Sequence, residues 1–420
     1  MSKGFVLSSE PPKFKETPLG PLPEDWEVVS FVDSIGDQKF SVGKVQRQHY
    51  KSAGRFPIID QGQSPIAGYW DDPRDVYQGP LPVIVFGDHT RVFKFVEFEF
   101  VCGADGTKVL LPNTNKFDPE FLFFTFLNLD IPSRGYNRHF HLLKEQYVPL
   151  PPLPEQRAMA YVLRTVQRAK EATEKVIQAM RELKKSLMRH LFTYGPVPIK
   201  EAERVTLKET EIGLIPEHWQ VVKLGEVAKI AVGGSAPQGS QYFGGPYPFI
   251  RVQHLNVNSE NITRWDYITD EAIRKYKLKL FPKGTIVFPK SGASIRLEKR
   301  AILPVDAYLV SHLCAVIPRE DIADSYFILY ILRTIKLAEQ KAEGYPTLKL
   351  TEITNIPIPL PPLSEQHEIA RILQAVDQKI QAEERRKQAL EVLFKTLLSH
   401  LMTGKIRVNH LKLSNEEEIS

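Results

Sequence analysis

The chain has 420 residues, enough for two or three domains of ordinary size, and 42% hydrophobic with 25% charged residues is the balance of a globular protein. A net charge of +5 is too small to mark a polyanion binder by itself. No run nears the ~20 apolar residues of a membrane helix, the start lacks the long apolar core of a signal peptide, and Cys102 and Cys314 fit neither a zinc site nor a disulfide framework. These features predict a cytoplasmic protein in a reducing compartment, with no membrane association.

In chain order, short β-like runs come first: Ile58-Ile59, Val83–Phe86, Val92–Phe100 and Val109–Leu111. Asp118-Pro119 then reads as a helix N-cap followed by proline at the first helical position, opening the apolar run Phe121–Leu127. After a Pro-rich hinge, residues 154–192 contain no glycine and no internal proline after Pro154. Val162, Val166, Ala169, Thr173, Val176, Met180, Leu183 and Leu187 follow a heptad spacing, which predicts a coiled-coil helix. Gly195 stops it. A second set of strands follows at Phe249–Val252, Ile286–Phe288 and Ala315–Ile317. A second long helix starts near Ser364 with Ile369, Leu373, Val376 and Ile380, is interrupted by the polar stretch Gln381–Lys387, and resumes with Leu390, Phe394, Leu397 and Leu401 before Gly404. The acidic ending NEEEIS reads as a disordered tail.

The second half repeats the first. PLPPLPEQ (Pro149–Gln156) returns as PLPPLSEQ (Pro359–Gln366), and LPEDWEVV (Leu22–Val29) as IPEHWQVV (Ile215–Val222). Between these anchors FPIIDQGQ (Phe56–Gln63) matches YPFIRVQH (Tyr247–His254), VIVFGDH (Val83–His89) matches TIVFPKS (Thr285–Ser291), KVLLP (Lys108–Pro112) matches CAVIP (Cys314–Pro318), and FLFFTFL matches YFILYIL (Tyr326–Leu332). Units of this size are too large for a solenoid repeat. The expected fold is α+β: two globular mixed α/β domains separated by two long helices that form an antiparallel coiled coil, with an internal pseudo-two-fold. The expected divisions are 1–153, the helix 154–195, 196–362, the helix 363–407 and a tail 408–420. If the helices pair antiparallel, a duplicated chain has the geometry of a dimer on a palindrome, and its unlike domains should read unlike half-sites.

The doubled starts LPEDW and IPEHW, the hinge-helix segments PLPPLPEQRAMAYVL and PLPPLSEQHEIARIL, and the closing LLSHLMTGKIRV resemble the specificity subunits of type I restriction-modification systems. The resemblance runs from about Thr17 to Val408. It implies two target-recognition domains that each read one half of an asymmetric bipartite site in double-stranded DNA. It also implies helices that set the spacer and dock two methyltransferase (modification) subunits. S-adenosylmethionine, ATP and Mg would belong to those subunits and to the ATP-driven restriction subunits, with no cofactor in this chain.

The catalytic motifs of such partners are not written here. An adenine methyltransferase needs [N/D/S]PP[Y/F/W], but the Pro-Pro pairs are EPPK, LPPL and LPPL, and neither GxxxxGK[ST] nor GxGxxG occurs. No residues are placed convincingly as a nuclease site. The expectation is a non-catalytic subunit, against two alternatives: a fused enzyme, or a coiled-coil scaffold without DNA specificity.

Charge is uneven. Residues 17–153 carry 13 Lys/Arg against 17 Asp/Glu, whereas 154–200 carry 10 against 4, and 251–300 carry 11 against 5. Base readout needs Arg, Lys, Gln, Asn, Ser or Thr on loops. The candidates in the first domain are Gln61, Gln63, Tyr69 in the AGYW turn, His89, Arg91, Arg134, Tyr136, Asn137 and Arg138. In the second they are Arg251, Gln253, His254, Lys290, Ser291, Ser294, Arg296, Tyr345, Thr347 and Lys349. The glycine-rich stretch Gly233–Gly245 lacks the lysine and helix start of a phosphate cradle and reads as a flexible loop that orders on DNA.

Overall fold

The computed structural model describes residues 13–36, 43–133, 135, 137–256, 260–337, 347–409 and 411. The chain divides into two compact units, one of Met1–Lys175 with Glu384–Ser420 and one of Val176–Glu383. Each unit therefore holds one globular domain and one half of each long helix. Among the described residues no helix is long and apolar enough to cross a membrane.

In the first unit an antiparallel sheet orders Thr107–Leu110, Val83–Gly87 and Phe93–Val96, and a mixed sheet orders Lys44–Val45, Val101–Gly103, Phe56–Ile59 and Gly68–Trp70. The expected strand Val92–Phe100 is thus only Phe93–Val96 long. Asp118 caps the helix Pro119–Leu127, accepting the Phe121 N–H at 2.8 Å. The second unit repeats this plan with an antiparallel sheet ordered Ala228–Val232, Leu313–Pro318, Ile286–Pro289, Ala301–Ile302, and a mixed sheet around Phe243–Ile250. Asp324 caps Ser325–Thr334 by the same 2.8 Å bond.

The matched motifs do matched work. Strand Tyr147–Leu150 pairs antiparallel with Glu27–Ser30, and Pro357–Leu360 with Gln220–Lys223, so each domain's last strand returns to its beginning. Each returning strand feeds its long helix, Leu153–Tyr194 or Leu363–Met402. At the helix starts, the buried Gln156 donates to the carbonyls of Pro151 (2.8 Å) and Lys116 (3.0 Å), and accepts the Asp118 N–H (2.9 Å). Gln366 does the same with Pro361, Ile322 and Asp324, all at 2.9 Å. One amide thus satisfies three backbone groups that would otherwise be buried unpaired. The preceding glutamates hold the buried tryptophans: Trp26 Nε1 donates to Glu155 at 3.1 Å, and Trp219 Nε1 to Glu365 at 2.9 Å.

The helix halves run antiparallel in each unit. In the first, Arg407, just beyond the second helix, binds Glu155 (2.6 and 2.8 Å) and Asp25 (3.0 and 2.7 Å), while Glu174 meets Lys387 at 2.7 Å. In the second, Lys184 binds Asp377 (2.6 Å to Oδ1), and Gly195 lies against Trp219 and Glu365. His218, which takes the place of Asp25 in the repeat, supplies the cation-capable partner of Glu365 at 2.8 Å.

The expected seam needs one correction. Val176 and Leu183 are 42% and 50% exposed, while Ile177 and Leu191 are buried and Lys184 is only 15% exposed. The second half of the seam therefore runs Thr173, Ile177, Met180, Lys184, Leu187, Leu191. A charged residue occupies it because Asp377 receives it, while the Tyr330 hydroxyl donates to the same carboxylate at 2.8 Å and the Tyr330 ring lies 5.0 Å from the ammonium. Burial lowers the Lys184 pKa and Asp377 opposes that shift. Within the polar stretch Gln381–Lys387 of the second helix Glu383 is buried, and a further buried carboxylate, Asp377, lies ahead of that stretch in the part expected to be apolar.

The stretch Gly233–Gly245 is also not a loose loop. Tyr242 is buried, strand Phe243–Ile250 begins inside the stretch, and a Cβ on Gly233 or Gly245 would lie 2.3 or 2.2 Å from the backbone of Leu309 or Ile268. Its glycines permit close approach of backbone. The acidic tail lies outside the described residues.

Two stability effects follow. Arg407→Ala leaves the Glu155 carboxylate, 1% exposed, without its cation. The first unit should lose about 3–5 kcal/mol in denaturant unfolding, as for other broken buried pairs. Glu260, 3% exposed beside Asp377, has its pKa pushed up to about 7, by desolvation first and then by the neighbouring carboxylate. A raised carboxyl pKa favours folding below the ordinary value, and that contribution is lost as pH rises through about 7. Glu260→Gln should therefore raise the melting temperature of the second unit at pH 8 and leave little difference at pH 5.

Candidate nucleic-acid interface

In the first domain, strand Val83–Gly87 delivers the turn Asp88–Arg91 to a place where three loops meet. Asp88 is 3% exposed, and its Oδ1 accepts the N–H groups of His139 and Phe140, both at 2.7 Å. Its carbonyl accepts the His139 N–H at 2.9 Å as well. Asp88 thus acts as a remote cap for the helix Phe140–Lys144 and anchors the exposed Asn137 and Arg138 just before it. Gln61 joins the same turn: its Oε1 accepts the His89 N–H at 3.2 Å and its carbonyl accepts the Thr90 hydroxyl at 2.5 Å. Gln63 is exposed nearby in sequence.

Arg91 has φ 62°, and its Nη1 donates to the Ile131 carbonyl at 2.6 Å, so its guanidinium braces a loop. Tyr69 lies in strand Gly68–Trp70, where its backbone exchanges bonds with Lys51 (2.9 and 3.1 Å), instead of in a turn. Arg134 and Tyr136 lie outside the described residues.

In the second domain the equivalent loops also meet. The Lys290 carbonyl accepts the Leu348 N–H at 2.8 Å, matching Asp88 and His139, and Ser291 bridges to Thr347. Ser294 donates to the Ser291 carbonyl at 3.3 Å, and Arg296 stands exposed in the turn Ala293–Leu297. Thr347 and Lys349 are exposed, and the Lys349 N–H donates to Glu352 at 3.0 Å. Tyr345 lies outside the described residues.

Arg251 and His254 are differently engaged. The Arg251 guanidinium pairs with Asp266 at 2.7 Å and lies over the Phe243 ring at 5.1 Å. His254 is 5% exposed, its Nδ1 accepts the Arg251 N–H at 3.0 Å, and burial lowers its pKa. These two side chains knit a turn to strand Asp266–Ile268, leaving Gln253 as the exposed member of that group.

Equivalent positions carry opposite charge in the two domains. Asp60, 3.5 Å from Lys94, stands where the second domain has Arg251, and Asp88 stands where it has Lys290. The exposed Asn137 and Arg138 on one side, and Gln253, Arg296, Thr347 and Lys349 on the other, carry hydrogen-bonding groups of the kind that address base edges and phosphates. Among the described residues no three His, Cys, Asp or Glu side chains are grouped to hold a metal. Sequence reasoning missed Asp88, His139 and His312. Asp88 and Lys290 stand opposite each other in the matched strands, which was the available signal for the first.

Residues 216–392 match the family model described as the type I restriction modification DNA specificity domain. The chain is 28% identical to the type I restriction enzyme MjaVIII specificity subunit of Methanocaldococcus jannaschii, over 95% of this chain and 97% of that protein. It is 31% identical to the MjaIX specificity subunit of the same organism over 64% of this chain and 62% of that one. Among solved structures, the S subunit of a type I restriction-modification system from M. genitalium has the same fold, with a TM-score of 0.62 and 17% identity over 93% of this chain and 98% of that one. Over nearly its whole length the chain is thus similar to specificity subunits of type I restriction-modification systems, and its residues 216–392 carry their DNA specificity domain.

Proposed function

We propose that each globular domain reads one half of an asymmetric bipartite site in double-stranded DNA. The carrying observation is the contrast between framework and loops. The Glu-Gln clamp, the capped apolar helix and the returning strand are the same in both domains, whereas the facing loops differ in residue type and invert in charge at two equivalent positions. A scaffold with no sequence to read has no use for two unlike loop sets on one frame.

The relatives are named specificity subunits, non-catalytic members of their complexes, and the same role is assigned here. Two modification subunits would dock on the long helices and bring S-adenosylmethionine, while ATP and Mg would serve the restriction subunits. The continuous helices of 42 and 40 residues, about 60 Å each at about 1.5 Å per residue, would fix the spacer between half-sites. The expected compartment is the cytoplasm, where such a complex meets DNA.

The test is selection from random double-stranded DNA by the chain assembled with its modification subunits. A two-part motif with a fixed gap is expected. Arg138→Ala should weaken binding through the first half only and Arg296→Ala through the second only, each by about 1–3 kcal/mol at one base pair. A uniform loss over all sequences, with a shallower salt dependence, would assign the arginine to phosphate. Selection of no sequence would contradict the reading.

A further inference from the structure

Aligned by sequence, the two loop clusters share no side chain at their centre: His89 falls opposite Ser291, and Gly106 opposite His312. The backbone confirms both equivalences. Thr107 pairs with Gly87 as Leu313 pairs with Pro289, and the Asp88 N–H donates to the Gly106 carbonyl (2.7 Å) as the Lys290 N–H does to that of His312 (2.9 Å). The same two backbone positions therefore face each other in both domains.

What lies between them is an imidazole in each case. In the first domain Gly106 has φ +70°, and a Cβ there would stand 2.8 Å from both His89 Cδ2 and Gln61 Oε1. The His89 ring and the Gln61 amide thus occupy the space over the glycine. In the second domain the ring is attached at the other position: His312 is exposed, and its Nδ1 lies 2.7 Å from the Ser291 hydroxyl. Val252, opposite Gln61 in the repeat, offers no competing amide. The ring is attached at opposite members of the same facing pair of backbone positions and in each domain reaches toward the other member.

We propose that this imidazole is a base-reading group in both domains, supplied by His89 in the first and by His312 in the second, with Ser291 as the positioning residue for His312. The proposal rests on the DNA-reading role argued above. The site suits it: Ser291 bridges to Thr347, so the ring stands beside the loop equivalent to that of Arg138. With Nδ1 engaged by a hydroxyl, Nε2 is the nitrogen left to meet a base edge. It donates when the hydroxyl donates to Nδ1 and accepts when the hydroxyl accepts from it. Either state distinguishes bases in the major groove, where donors and acceptors differ for every pair.

The test uses the full chain in its assembled complex and reads base preference at every position of the selected site. His312→Ala should relax preference about tenfold or more at one base pair of the second half-site and leave the first unchanged. Ser291→Ala should give a weaker loss at that same base pair, recovered by Ser291→Thr. His89→Ala should act on the first half-site alone. The decisive variant combines His312→Gly with Ser291→His, which moves the ring to the attachment used in the first domain and should recover most of the preference. Unchanged preference in His312→Ala and His312→Gln, or a uniform loss across sequences with a shallower salt dependence, would overturn the assignment. A wild-type complex that selects no sequence would overturn the DNA-reading role itself, a failure visible before any variant is made.

Discussion

The structure depends on two dipeptides at the helix starts, Glu155-Gln156 and Glu365-Gln366, of which Glu155 and both glutamines are buried. Each glutamate accepts the indole N–H of the tryptophan that opens its domain, and each glutamine closes three backbone groups at the junction of hinge, capped helix and long helix. Buried polar groups of this kind are stabilising only when every member is satisfied, so the junction tolerates little change. A rigid junction fixes the direction in which each long helix leaves its domain. It also frees the loops at the far edges of the sheets from any part in holding the fold together at that point.

The two copies satisfy the same carboxylate differently. Glu155 is held by Arg407 with help from Asp25, whereas Glu365 is held by His218. Asp25, gripped by the Arg407 guanidinium, has its pKa lowered. Duplication therefore preserved the acceptor and allowed its partner to come from a different part of the chain. The loop clusters show the same freedom: an imidazole arises from residue 89 in one domain and from residue 312 in the other. What duplication conserves in this molecule is a position in space.

Much of this was legible in the sequence because the repeated motifs are the framework. The doubled PLPP hinges, the capping aspartate Asp118 and the terminating glycines each have a local physical cause that a single chain displays, whereas the matching cap Asp324 emerged only with the structure. Partner-dependent features were not legible. Lys184 belongs to the seam only because Asp377, far away in sequence, receives its charge, and this turns Val176 and Leu183 outward. Arg251 and His254 have the residue types of DNA readers, but Asp266 claims the Arg251 guanidinium, and the buried His254 accepts the Arg251 backbone N–H. Asp88 has the opposite type, yet it fixes the loop that presents Arg138. Residue type alone does not separate a group that reads from a group that holds another in place.

The central claim is that two unlike reading surfaces stand on one duplicated frame and act independently. It is tested most directly by replacing residues 17–153 with the corresponding domain of another specificity subunit and mapping methylated DNA in cells that carry the assembled system. The account predicts a new first half-site with the second half-site unchanged, because the second cluster is anchored entirely within its own unit. A change in both halves, or in neither, would contradict it.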